Sequence, residues 1–241
     1  VPTMRPRLIL ASASPARAGL LRGAGVDPII QVADVDEEAL TAAHTAAHGP
    51  ISVAESVQLL ARAKAEKVAA EIFAATEGPT DGGAPLPAAF PADGPTAVLG
   101  CDSLLEVDGE ALGKPHTPER ARERWQRIRG RSGVLHTGHH LITASCEAGA
   151  TSHTTVDFAE ITDAEIEAYI ATDEPLEVAG AFTIDGYGGA FIRRIEGDHH
   201  GVMGISLPLL RDLLGQVGLT WVDLWRHRPA PGLTHPISVD P

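Results

Sequence analysis

Cysteine is almost missing from this chain of 241 residues, and the two present, Cys101 and Cys146, cannot build a disulfide framework. Two thiols fit a reduced cytoplasm. Aromatic residues are also scarce, at 4%, yet apolar residues reach 44%, close to the globular average, which excludes disorder throughout. No uninterrupted run of about 18 uncharged apolar residues occurs, so a membrane-spanning helix is excluded. The first ten residues carry Arg5 and Arg7 but no long apolar stretch before a cleavage site, so no secretory signal is expected. Basic residues are the minority: 19 Lys+Arg against 32 Asp+Glu give a formal charge of −13. That balance excludes a nucleic-acid polymer as the default partner, because such binding draws on clustered cations that release counterions. A small anionic ligand stays open, provided that a locally basic pocket exists.

Several catalytic signatures are missing too. Gly109-Glu110-Ala111-Leu112-Gly113-Lys114-Pro115 is one residue short of a P-loop and lacks the hydroxyl that holds Mg²⁺. No Gly-x-Ser-x-Gly elbow is present, which weakens a serine hydrolase reading. No cysteine pair has zinc spacing, and the adjacent pairs His139-His140 and His199-His200 would point opposite ways on a strand, so a two-histidine zinc site is not expected. Gly186-Tyr187-Gly188-Gly189 lacks the dinucleotide-binding spacing, and no internal repeat is found.

What is present reads as alternating strands and helices. Residues 7–11 form an apolar strand, then Ser14 caps a helix with Pro15 at its first position, ending at Gly25. A second strand is expected at residues 28–32. Residues 53–73 are the best helix, with Val57, Leu60, Lys64, Val68 and Ile72 three or four apart. Nine of the 18 residues from 78 to 95 are Gly or Pro, which reads as an insertion loop. Further strands are expected at residues 97–101, 104–107 (opening a hairpin at Asp108-Gly109), 134–144, 154–160 and 191–195. Helices are expected from Thr117 to Gly130, from the Thr162–Glu165 capping box to Ile170, and at 207–217. The interleaving gives an α/β class. Residues 226–241 are proline-rich and read as a loose tail.

Four places along this pattern can carry chemistry. The helix N-terminus at Ser14, with Arg17, suits a phosphate, although an ordinary capped helix reads the same way. Lys64 lies on the apolar stripe of its helix, where an ammonium must snorkel out, pair or face a polar cleft. Asp102 follows the strand 97–101, where open α/β sheets place ligands; a carboxylate there can act as a base or hold a cation, or simply start a turn. Lys114 sits beyond the hairpin, in a restricted backbone before Pro115 or in a solvated loop. Spacing alone does not bring these groups together.

The residues Leu8-Ile9-Leu10-Ala11-Ser12-Ala13-Ser14-Pro15-Ala16-Arg17, Ala61-Arg62-Ala63-Lys64-Ala65, Gly100-Cys101-Asp102-Ser103 and Gly113-Lys114-Pro115 resemble the Maf-like nucleoside triphosphate pyrophosphatases. Later blocks around Thr172-Asp173-Glu174-Pro175, Ala179-Gly180-Ala181-Phe182, Asp185-Gly186 and Val202-Met203-Gly204-Ile205 follow in the same order, over about residues 7–220. The resemblance implies an elongated α/β fold with a mixed, curved sheet flanked by helices and two lobes around a cleft, similar to inosine triphosphatases. It implies one domain over residues 1–222 and a loose tail from 223. The activity implied is cleavage of a nucleoside triphosphate to the monophosphate and pyrophosphate in the cytoplasm, with Mg²⁺ or Mn²⁺. Asp102 would be the catalytic base and a metal ligand; Ser14, Arg17, Lys64, Lys114 and Asp185 would bind substrate. The partners implied are that substrate and at most a second copy of the chain as a homodimer, with no nucleic-acid polymer and no membrane. Departures are visible: Ala16 replaces the first of two family arginines, Gly130-Arg131-Ser132-Gly133 replaces a Gly-x-Thr-His block, and Asp185 stands where subgroups carry Gln or Glu, leaving base selectivity open. The other readings are a non-catalytic nucleotide-sensing or protein-binding module linked to cell division, and a general phosphatase.

Overall fold

β1 (Arg7–Leu10) is apolar from Leu8 to Leu10 because both of its faces are covered there. Leu8 and Leu10 join one buried cluster, whereas Ile9 packs into another on the opposite side. The computed structural model describes residues 5–74 and 94–226. The insertion expected at 78–95 lies almost wholly outside these residues, as does the tail beyond Arg226. The tail boundary expected at 223 falls inside a 3-10 turn, Trp221–Leu224, and Trp225 bridges back to Val26.

The sheet is mixed and seven-stranded, so the α/β class holds. β1 is paired in parallel by β2 (Ile29–Ile30) on one side and by β3 (Thr96–Val107) on the other. β4 (Glu110–Leu112), β5 (Ser132–Thr143), β6 (Glu147–Phe158) and β7 (Ile192–Glu196) complete it in antiparallel pairings. α1 (Pro15–Gly23) and α7 (Leu207–Gln216) cover one face of the proximal half, where Leu21, Leu210, Leu213 and Leu214 meet Leu99 and Leu141. α4 (Pro118–Ile128) and α5 (Asp163–Ile170) cover the same face further along, where Trp125 and Tyr169 meet Leu105, Leu135 and Phe158. Between the two clusters the strands carry Ser103, Thr137 and His139, a polar seam in which Thr137 and His139 are buried.

α3 (Val53–Ala74) lies on the opposite face and approaches the sheet closely. A Cβ on Gly100 would stand 2.0 Å from the Ala61 carbonyl oxygen, and one on Gly138 would stand 2.3 Å from that of Val57. Glycine at these two strand positions is what lets the helix seat and brings its side chains down to the strands.

Three expectations change. β3 is one strand of 12 residues rather than a strand, a break and a hairpin arm, so Asp102 lies in its middle. Backbone pairing with β5 continues through Asp102, opposite Gly138, and overrides the turn preference of the Asp. α2 (Glu37–His48) was not anticipated: it buries no residue, and it rests on an Asp36 cap and alanine propensity. His199 and His200 open a short helix, α6 (His199–Val202), rather than lying on a strand. Among the described residues no helix is long and apolar enough to cross a membrane.

Candidate functional site

The site begins with a gap in strand pairing. β1 pairs with Thr96–Leu99 of β3, and β4 pairs with Leu105–Val107. Among the described residues, no strand pairs with Gly100–Leu104 on that edge. This leaves about 17 Å of open strand edge in an otherwise paired sheet. The strand that ends here is β1, not β3.

Asp102 stands on that stretch, facing α3, and is only 8% exposed. Lys64 reaches down from α3 and places Nζ 2.6 Å from Asp102 Oδ1. The same Nζ lies 2.6 Å from Glu37 Oε1 at the start of α2. The lysine on the apolar stripe is therefore paired, not snorkelling. Burial pushes the Asp102 carboxyl above its ordinary value; Lys64 and Arg17 pull the other way, and Glu37 adds to the rise. A carboxylate raised toward neutrality is a better proton acceptor. The neighbouring Cys101 thiol is pushed up to about 12 by burial, so it is a thiol and not a nucleophilic thiolate.

Arg17 comes from the opposite face. Its Nε donates to the Gly204 carbonyl at 3.0 Å, and Nη1 donates to Ser12 Oγ and the Cys101 carbonyl at 3.1 and 2.9 Å. Nη2 donates to Ser103 Oγ at 3.0 Å. Among the described residues no carboxylate pairs with this guanidinium, so its charge is positioned by neutral acceptors. Arg17 is a fixed positive field with one N–H left to give. Thr137 Oγ1 donates to the Gly201 carbonyl, which makes Ser103 the donor to Thr137 and Arg17 the donor to Ser103. His139 pins the same region by accepting from the Ser206 amide at 2.8 Å. Burial lowers this imidazole to about 4, with the Arg17 charge adding to the effect, so it is neutral. Ser14 caps α1, its Oγ accepting from the Arg17 amide at 3.4 Å, and Ala16 is exposed beside it.

Two of the expected residues stand apart. Lys114 follows β4 at the far rim of the gap, is exposed, and lies 3.9 Å from Glu177 rather than against Asp102. Its backbone is held through the Gly113 carbonyl, which accepts from the Gly180 amide and from Arg124 Nη1. Asp185 is exposed on a loop braced by Glu174. That carboxylate accepts from Tyr169 Oη, Thr183 Oγ1 and the amides of Tyr187 and Gly188. Glu37, Ser12, Ser103 and Gly204 were not foreseen as parts of the site. An acidic pair opening an alanine-rich helix carries no signal that it will meet a lysine 27 positions on. The donor set around Lys64, two carboxylates with no thiolate or imidazole, suits a hard divalent cation.

These features define an α/β protein with an interrupted strand edge, flanked by a buried carboxylate and two cations. The chain matches the family described as Maf-like protein over residues 7–217. It is 52% identical over 224 residues to a protein of Leifsonia xyli subsp. xyli named nucleoside triphosphate pyrophosphatase, covering 91% of this chain and 96% of that one. A protein of the same name from Nocardia farcinica is 50% identical over 229 residues, with 93% and 99% covered. One from Gloeothece citriformis is 45% identical over 220 residues, with 90% and 97% covered. The chain belongs to the Maf-like family.

Proposed function

We propose that this protein hydrolyses a nucleoside triphosphate to the monophosphate and pyrophosphate. The observation that carries the reading is the buried, raised Asp102 carboxylate on the open edge of β3, between Lys64 on one face and a carboxylate-free Arg17 on the other. Water attacks the α-phosphorus, the bond to the β-phosphate bridging oxygen breaks, and pyrophosphate leaves. Asp102 orients the water and takes its proton. Arg17 and the α1 N-terminus capped by Ser14 hold phosphate oxygens. Lys64 offers its ammonium to the same charge, and Lys114 closes over it from the far rim. Phosphoryl transfer depends mainly on positioning and charge stabilisation, which this set supplies. Asp102 and Glu37 would hold Mg²⁺ or Mn²⁺, which would supply Lewis-acid polarisation of the phosphate. Asp185 would meet the nucleoside. The catalytic body is read as a single domain over residues 1–222 in the cytoplasm, and both cysteines are free thiols in keeping with that compartment.

The test is incubation with a panel of standard and modified nucleoside triphosphates with Mg²⁺ or Mn²⁺. Pyrophosphate and monophosphate should appear in equal amounts, and chelation should abolish both. Orthophosphate as the product would indicate a general phosphatase. Binding without turnover would indicate a nucleotide-sensing module.

A further inference from the structure

A second group of metal-ligating side chains lies outside the proposed reaction, at the start of α6. On this short helix the His199 and His200 rings stand side by side, with centroids 3.8 Å apart and planes inclined at 37°. Both turn Nδ1 toward Asp198 Oδ1, at 3.9 Å from His199 and 3.1 Å from His200. One ligand atom from each of the three residues lies within 4.8 Å of the other two. In a tetrahedral zinc-type complex, bonds of about 2.0–2.1 Å put neighbouring donors about 3.4 Å apart. The two measured separations straddle that value, so the donors already stand near metal-binding spacing.

The backbone under the cluster is fixed. The Asp198 carbonyl accepts from Thr154 Oγ1 at 3.0 Å, and its Oδ1 accepts from the His200 amide at 3.1 Å. Asp198 Oδ2 is sealed from solvent and has no hydrogen-bond partner that meets the distance and angle of a hydrogen bond. A carboxylate with spare acceptor capacity next to two imidazoles is the ligand pattern of a borderline divalent ion.

We propose that Asp198, His199 and His200 form a second metal site, for a transition ion of the zinc, cobalt and nickel class. Its chemistry separates it from the Asp102–Glu37 pair, where only oxygen donors are present and a hard cation is suited. Three protein ligands leave a coordination position for water. The ion replaces the proton that His200 Nδ1 shares with Asp198 Oδ1. The cluster is also mechanically tied to the first site. The Gly201 carbonyl of α6 accepts from Thr137, and the Gly204 carbonyl just beyond it holds Arg17. An occupied site therefore clamps the segment that positions the guanidinium.

The experiment uses the untagged, metal-stripped full chain, titrated with Co²⁺ and followed by its visible d–d absorption. One equivalent should bind, be displaced by Zn²⁺ and be unaffected by excess Mg²⁺. His199→Ala removes a side chain that is 61% exposed, so the variant keeps its melting temperature and Mg²⁺-supported turnover while binding Co²⁺ at least tenfold more weakly. His200→Ala should weaken binding by a similar factor. Zn²⁺ should raise the melting temperature of the parent, because it binds only the folded state, and should not raise that of His199→Ala. Co²⁺ binding that persists undiminished in both variants overturns the proposal, as does the absence of a saturable equivalent in the parent.

Discussion

Replacing Asp102 by Asn separates the chemical role of this carboxylate from its structural one. Breaking a buried ion pair normally costs about 3–5 kcal/mol, because the surviving charge is stranded. Here Lys64 is not stranded: Glu37 Oε1 remains 2.6 Å from its Nζ, and the Asn carbonyl oxygen can still accept from it. The wild-type carboxylate also carries a desolvation penalty, since burial raises its folded-state pKa. A carboxyl raised in this way contributes stability that is complete below its unfolded value and lost as pH rises through its folded value. Above that window the wild type bears a penalty that Asn lacks, so the variant's relative stability should improve as pH rises across the acid range. The net change near neutral pH is expected within about 1 kcal/mol, or about 2–4 °C in melting temperature for a chain of this size. Activity should fall at least ~10³-fold, about 4 kcal/mol of barrier, from loss of the base. Pyrophosphate release under saturating nucleotide and calorimetric melting at several pH values measure both quantities. Retention of turnover within tenfold of wild type removes Asp102 from its role. A melting temperature lowered by more than about 10 °C would refute the claim that Glu37 keeps Lys64 compensated.

Three further outcomes follow from the same geometry. Arg17→Lys cannot reproduce four directed donations, so it should lose about 2–3 kcal/mol of stability and at least tenfold in turnover; an unchanged melt and rate would show that the guanidinium shell is dispensable. Glu37→Gln should leave the melt nearly unchanged, because the side chain is half exposed, but should raise the Mg²⁺ concentration needed for half-maximal rate; an unaltered Mg²⁺ dependence would exclude Glu37 as a ligand. His139 is neutral when folded, with its pKa lowered to about 4 from 6.5 mainly by burial, so the unfolded chain binds the extra proton between those values. Stability should therefore be intact above pH 6.5 and decline by about 3 kcal/mol as pH falls toward 4, more steeply than in His139→Asn; equal slopes would count against this origin.

Most of the helices were legible because their apolar residues repeat with helical spacing or their starts carry strong caps, as at Ser14, Thr117 and Thr162. Lys64 was legible for the same reason, as a charge where the stripe demanded an apolar residue. α2 was not, since its apolar residues are nearly all alanine and none is buried, so its stripe is weak. The position of Asp102 was misjudged because a turn-forming residue inside a strand reads as an end, and only the partner strand reveals that pairing continues. The same limit applied to His199-His200: whether adjacent rings diverge or stack depends on whether the backbone is extended or helical, and four residues are too few to show it. Glu37 converges on Lys64, and Gly204 on Arg17, through tertiary packing between distant segments. No local pattern encodes that convergence.

The hydrogen bond from Arg17 to Gly204 spans 187 residues. At a synthesis rate of about 5–20 residues per second, roughly 10–40 s separate the emergence of its two ends. During that interval Ser12, Cys101 and Ser103 can gather around the guanidinium, but the carbonyl that fixes Nε does not yet exist. Trp225, which bridges back to Val26, arrives later still. The nascent chain thus passes through a stage in which Arg17 lacks one of its acceptors, and a segment made late brings an early one into working order.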